Sequence, residues 1–100
     1  MSELEYHGDP AAMRSEAAAA RLKAERISDL AGRLVTQAES IDFEGPAANE
    51  FRAATSDRAR RAEGAAAVLT DTSSLLLSAA AYAEEEIARA AALRRSEAGW

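Results

Sequence analysis

One hundred residues, an apolar share of 48% and a net charge of −5 exclude several classes before any motif is read. The length allows a single domain at most, and the acidic balance argues against a nucleic-acid binder, which carries a basic stripe. Alanine supplies 27 of the 48 apolar positions; it favours helix strongly but buries little surface, so two such helices cannot shield each other fully and a second chain is expected.

Residues 1–8 are polar, end at Gly8 and read as a disordered lead-in. The segment MSELEYHGDP lacks the basic-then-apolar pattern of a cleavable signal peptide. Asp9-Pro10 is a helix start: the carboxylate caps free N–H groups, and proline suits the first helical position, where its missing N–H costs nothing. Met13, Ala17, Ala20, Ala24, Ile27, Ala31, Leu34, Ala38 and Ile41 then follow alternating steps of four and three. That is a heptad seam, with alanine at one core position and mostly larger residues at the other. Leu30 and Val35 widen the stripe beyond the needs of a two-stranded coil, which implies a bundle of more helices.

The spacing predicts a first helix over 10–41, a turn over 42–45 and a second helix over 46–94. The turn is Phe43-Glu44-Gly45-Pro46, with glycine free to take unusual backbone angles and proline opening the next helix. The second seam is expected at Phe51, Thr55, Ala59, Ala62, Ala66, Leu69, Ser73, Leu76, Ala80, Ala83, Ile87 and Ala90. Leu75, Leu76 and Leu77 are consecutive, face three directions, and need more than one neighbour to cover them. At 1.5 Å per residue the helices measure about 48 and 73 Å. The second therefore overhangs the first from about residue 78, and residues 95–100 are expected to form a flexible tail. Gly32 and Gly64 fall inside helices, where they serve close approach, a bend, or nothing in particular as surface glycines. The partner interface is assigned to Ile27, Leu34, Ile41, Leu69, Leu75, Leu76, Leu77 and Ile87. The fold class is thus all-α: a helix-turn-helix hairpin that pairs with a second hairpin into an antiparallel four-helix bundle.

Little points to catalysis. The one histidine, His7, stands in the lead-in without a placed partner. Glu84, Glu85 and Glu86 are consecutive and so point to different sides of a helix, which is poor for clasping one ion. No phosphate-cradling loop, zinc spacing or nucleophile elbow occurs, and with no cysteine there is no thiol nucleophile. Neither an enzyme nor a bound cofactor or metal is expected. Arg58, Arg60 and Arg61 form a basic knot, read as a solvated face with local ion pairs. No uninterrupted apolar run approaches the roughly 18 residues of a membrane span, and direct membrane insertion is not expected.

The aromatic-x-Gly turn at Phe43 and Gly45, followed by Tyr82-Ala83-Glu84-Glu85-Glu86 late in the second helix, resembles the WXG family of type VII (ESX-like) secretion substrates. The string Gly-Pro-Ala-Ala-x-x-Phe at 45–51 is similar to many actinobacterial members, and the resemblance covers nearly the whole chain. Phe43 stands where the family has Trp and lacks the indole N–H donor. Tyr82 and Glu86 match the Tyr-x-x-x-acid secretion motif. Leu93, Gly99 and Trp100 look like the tail of the culture-filtrate-antigen type of subunit, which docks on a membrane-anchored FtsK/SpoIIIE-like ATPase. The resemblance implies a heterodimer with a WXG-type partner, although a homodimer would show the same seam. It also implies a protein that is cytoplasmic before export and secreted without a cleavable signal peptide. The alternative is a cytoplasmic homodimeric coiled-coil scaffold or adaptor with no part in export.

Overall fold

The computed structural model describes residues 9–99. The lead-in and Trp100 lie outside the described residues. Two helices make up the described chain, α1 over Pro10–Ser40 and α2 over Pro46–Ala98. They form an all-α helical hairpin of two long packed helices. Two compact units divide it: Ala20–Asp71, which contains the turn, and, of the described residues, 9–19 with 72–99.

Each helix begins where local chemistry dictates. Asp9 accepts hydrogen bonds on Oδ1 from the backbone N–H groups of Ala11 and Ala12, at 3.0 and 3.2 Å. Its own carbonyl accepts the N–H of Met13. This satisfies donors that a helix N-terminus leaves orphaned. At the turn, Gly45 sits at φ 115°, the left-handed half of backbone space, which only glycine enters without penalty. The Gly45 carbonyl then accepts the N–H of Asn49 and starts α2.

The boundaries differ from the sequence expectation at two ends. α1 stops at Ser40, one residue short of Ile41. α2 runs to Ala98, so residues 95–98 are helical rather than a flexible tail. Arg94, Arg95, Ser96, Glu97 and Ala98 contain no helix breaker, and Arg95 in the last turn complements the negative end of the helix dipole. The break falls only at Gly99, whose N–H reaches back to the carbonyl of Arg95.

The core consists almost wholly of alanine. Lettering the heptads so that Ala17, Ala24, Ala31 and Ala38 occupy position a, all four are buried. On α2 the matching a positions Ala59, Ala66, Ser73 and Ala80 are buried as well. Among the described residues Met13 is the one large side chain in the core, and Ala80 is completely enclosed. The larger d residues expected to share the seam sit on its shoulder: Ile27, Leu69 and Leu76 are half-buried, and Leu34 is exposed. Small side chains let two backbones approach closely, and that approach leaves too little room between them for leucine.

The phase of α2 also needs correction at its ends. Phe51 is exposed, and Ala48, Arg52 and Thr55 carry the seam there instead. The expected sequence of Phe51, Thr55 and Ala59 used two steps of four in succession, which drifts about 80° off a straight stripe. The steps from 48 to 52 to 55 to 59 keep the alternation. Near the far end Ile87 and Ala90 are exposed as well.

One side chain missed by periodicity closes the turn. Arg52 is half-buried and donates from Nη2 to the carbonyls of Ile41 and Phe43, both at 2.9 Å, and from Nε to the carbonyl of Ala38 at 3.3 Å. Carbonyls at the C-terminus of α1 have no partner of their own within the helix. A guanidinium with its forked donors serves several at once.

Candidate interaction surface

The two shoulders of the seam are chemically different. Apart from the seam bonds of Ser73 and Arg52 to backbone carbonyls, the side chains that pair with one another from helix to helix stand at position e. In the Ala20–Asp71 unit, the Ser28 hydroxyl donates to Glu63. In the other unit, Arg14 meets Glu84 through two parallel hydrogen bonds, at 2.5 and 2.6 Å. Arg14 holds the Glu84 carboxyl below its ordinary value chiefly by hydrogen bonding; the modest desolvation there opposes this, and the attraction of the opposite charge adds to it. The e shoulder also carries a shallow open groove of about 690 Å³ in the Ala20–Asp71 unit, lined by Arg21, Ser28, Glu63 and Thr70 together with Ala24, Ala66 and Ala67.

The opposite shoulder, formed by positions c, d and g, is apolar and uncovered. On α1 it presents Ile27, Leu30 and Leu34, with Leu30 57% exposed and Leu34 47% exposed. On α2 within the same unit it presents Phe51, Val68 and Leu69. Because the e shoulders of the two helices face each other, their g shoulders share the other side of the pair. In the second unit the same shoulder of α2 carries Leu75, 71% exposed, Leu76 and Tyr82, 65% exposed.

Not all of the residues assigned to a partner interface gather on this side. Ile27, Leu34, Leu69, Leu75 and Leu76 do, each within its own unit. Leu77 stands at e, on the polar shoulder, and is exposed. Ile41 lies past the end of α1 in the turn and is half-buried. Ile87 is at a seam position but exposed.

The motif residues are placed as follows. Phe43 is exposed, and its carbonyl is held by Arg52. Tyr82 and Glu86 are four residues apart on the apolar shoulder, so one lies above the other along the helix. Glu86 accepts a hydrogen bond from Arg89 at 2.8 Å. Its neighbour Glu84 is drawn to the e shoulder by Arg14 and serves the hairpin itself. The expected overhang starts later than residue 78: Ala80 is fully buried and Glu84 still has a partner on α1. Leu93 is exposed on α2, Gly99 follows its end, and Trp100 lies outside the described residues.

The basic knot makes local ion pairs, Asp57 receiving Arg61 at 3.2 Å and Arg60 at 3.9 Å. Among the described residues no three His, Cys, Asp or Glu side chains are grouped as metal ligands. Although no uninterrupted apolar run is long enough, an 18-residue window of α2 is by length and averaged composition apolar enough to cross a membrane. Only 17% of that window is buried within the hairpin. No protein-family model matches the chain, and no curated protein or solved structure shows significant similarity to it.

Proposed function

We propose that this protein is one subunit of a paired-hairpin complex and acts by binding a second helical hairpin. The observation that carries this reading is the inversion of its packing. Alanine fills the core, while Leu30, Leu34 and Val68 in the Ala20–Asp71 unit, and Leu75 and Tyr82 in the other, are exposed. Burying a leucine-sized side chain is worth about 1.5–3 kcal/mol, so several of them left exposed in each unit favour a partner that covers them. Closing a second alanine-cored hairpin over these residues would give an antiparallel four-helix bundle.

The resemblance to the WXG family supplies the biological setting. In that reading the complex is a type VII secretion substrate, the partner is a WXG-type subunit, and export proceeds from the cytoplasm without a cleavable signal. Tyr82 and Glu86 serve as the secretion motif, with Leu93, Gly99 and Trp100 as the segment read by the FtsK/SpoIIIE-like ATPase. The exposure of Tyr82 and Leu93 supports this assignment. No catalytic residue or cofactor belongs to this function.

Co-expression with a hairpin protein encoded beside it tests the pairing: a 1:1 complex is expected, with the lone chain poorly folded or self-associated. A lone chain that melts cooperatively as a monomer overturns it. For export, Trp100→Ala and removal of the last six residues are expected to abolish ATPase binding and leave the melting temperature unchanged. Retained binding overturns the tail assignment. A stable homodimer that is never exported returns the protein to the scaffold class.

A further inference from the structure

The charges around the apolar shoulder of the Ala20–Asp71 unit are all of one sign. Lys23 and Leu30 occupy g on α1, and Arg26 and Arg33 occupy c; on α2, Phe51, Arg58 and Ala65 occupy g, and Arg61 and Val68 occupy c. No acidic residue of this unit stands at c, d or g. Glu25, Asp29, Glu39, Glu50, Asp57, Glu63 and Asp71 all fall at b, e or f, and Asp42 and Glu44 are in the turn. In a chain whose net charge is −5, this sorting leaves an apolar strip edged only by cations. Arg33 and Arg61 lean onto Asp29 and Asp57 of their own helices, at 2.9 and 3.2 Å, in largely exposed pairs that yield readily to a better acceptor. Lys23, Arg26 and Arg58 take part in none of the ion pairs found among the described residues.

We infer that this shoulder docks an amphipathic helix whose apolar stripe is flanked by acidic residues, and that the flanking charge selects a different chain over a second copy using the same face. The inference rests on the paired-hairpin reading and adds the chemistry of the partner. Two copies meeting through this face would set cation against cation, which disfavours the contact and slows encounter. An apolar centre of Ile27, Leu30 and Leu34 suits a helix stripe and offers nothing to phosphates or bases. Flanking charges of this kind set partner choice in helical bundles, while the apolar stripe supplies the affinity.

The test uses the full-length protein and two labelled synthetic peptides of about four heptads, long enough to hold a helix on docking. Both carry leucine at a and d; one carries glutamate at e and g, the other lysine. The glutamate peptide is expected to bind about tenfold more tightly at low salt, with the gap closing near 0.5 M NaCl. Leu30→Asp with Leu34→Asp should abolish binding, while Leu22→Asp, on the far side of α1, should not. The combined reversal Lys23→Glu, Arg26→Glu and Arg58→Glu should transfer the preference to the lysine peptide. Helix content of each variant, followed by circular dichroism, separates misfolding from lost recognition. Equal binding of both peptides, no binding of either, or a preference unmoved by the reversal overturns the inference. So does displacement of the glutamate peptide by duplex DNA, or a self-association of the lone chain that Leu30→Asp abolishes. A 1:1 complex with the neighbouring hairpin that survives the charge reversal but not Leu34→Asp would leave the pairing intact and refute only the charge selection.

Discussion

The hydroxyl of Ser73 donates to the carbonyl oxygen of Ala17 at 2.8 Å from within the seam. That oxygen sits in the helical ladder of α1, so the serine adds a bond between helices without taking one away. The contact is possible because alanine on both sides brings the backbones close. Ser73→Ala should cost about 0.5–1.5 kcal/mol, one net hydrogen bond. Ser73→Leu should cost about 1–3 kcal/mol by forcing the helices apart. Urea denaturation of both variants checks this, and a leucine tolerated as well as alanine would contradict the close approach.

Arg52 offers a second test. Its guanidinium serves the carbonyls of Ala38, Ile41 and Phe43, and Arg52→Ala leaves all three to water. A loss of about 1–3 kcal/mol is expected, the range for hydrogen bonds to a charged group. Arg52→Lys should recover only part of it, because an ammonium lacks the planar fork. Thermal melts followed by circular dichroism will rank the three proteins.

The glycines should divide by position. A Cβ built on Gly32 or Gly64 meets nothing within 4 Å, so these two residues serve no close approach. Gly32→Ala and Gly64→Ala should each stabilise α1 or α2 by about 0.5–1 kcal/mol. Gly45→Ala should do the reverse, by about 1–2 kcal/mol, since φ 115° strains any residue with a side chain. Adding the two helical changes together should give a nearly additive rise in melting temperature.

The pair of Arg14 and Glu84 gives a signed pH dependence. Glu84 is lowered below 4.5 in the folded protein, first by the Arg14 hydrogen bonds. A lowered carboxyl contributes its stability in full above the unfolded value, and that contribution fades as pH falls through the folded value. Arg14 is raised by the same contact and stays charged throughout. Carboxyl-carbon NMR should place the Glu84 midpoint below 4.5, and Arg14→Gln should return it toward that value. Added salt should shrink the difference, because both groups are exposed.

Much of the hairpin could be read from the sequence because its punctuation is local. Asp9, Pro10, Gly45 and Pro46 each act on the backbone within a few residues, and the heptad of alanines on α1 sets its own phase. The helix–helix distance could not be read this way. A stripe of Ala17, Ala24 and Ala31 beside Ile27 and Leu34 is compatible with either set in the middle. Alanine occupies it because the backbones come together far enough to exclude leucine. Arg52 escaped notice for a related reason: its partners lie 9 to 14 residues back along the chain, and only the folded turn brings them into reach. The apolar shoulder was foreseen as a need for cover, but its cationic edge appears only once the cross-helix bonds at Ser28 and Arg14 show which shoulder is which.

A column of identical small teeth has no preferred alignment of its own: moved along by seven residues in one direction, Ala17, Ala24, Ala31 and Ala38 of α1 would meet Ala80, Ser73, Ala66 and Ala59 of α2. The seam therefore specifies that the helices mesh, and something else must specify where. That role falls to the short turn from Ile41 to Gly45, gripped by Arg52, together with the Ser73 bond to Ala17 and the pairs Ser28–Glu63 and Arg14–Glu84. Lengthening the turn by a few glycines would remove the stop from the rack and let the hairpin close one tooth out of step. Every exposed leucine on the docking side would then be carried about 10 Å along the helix axis, still apolar, still helical, and no longer opposite anything a partner expects.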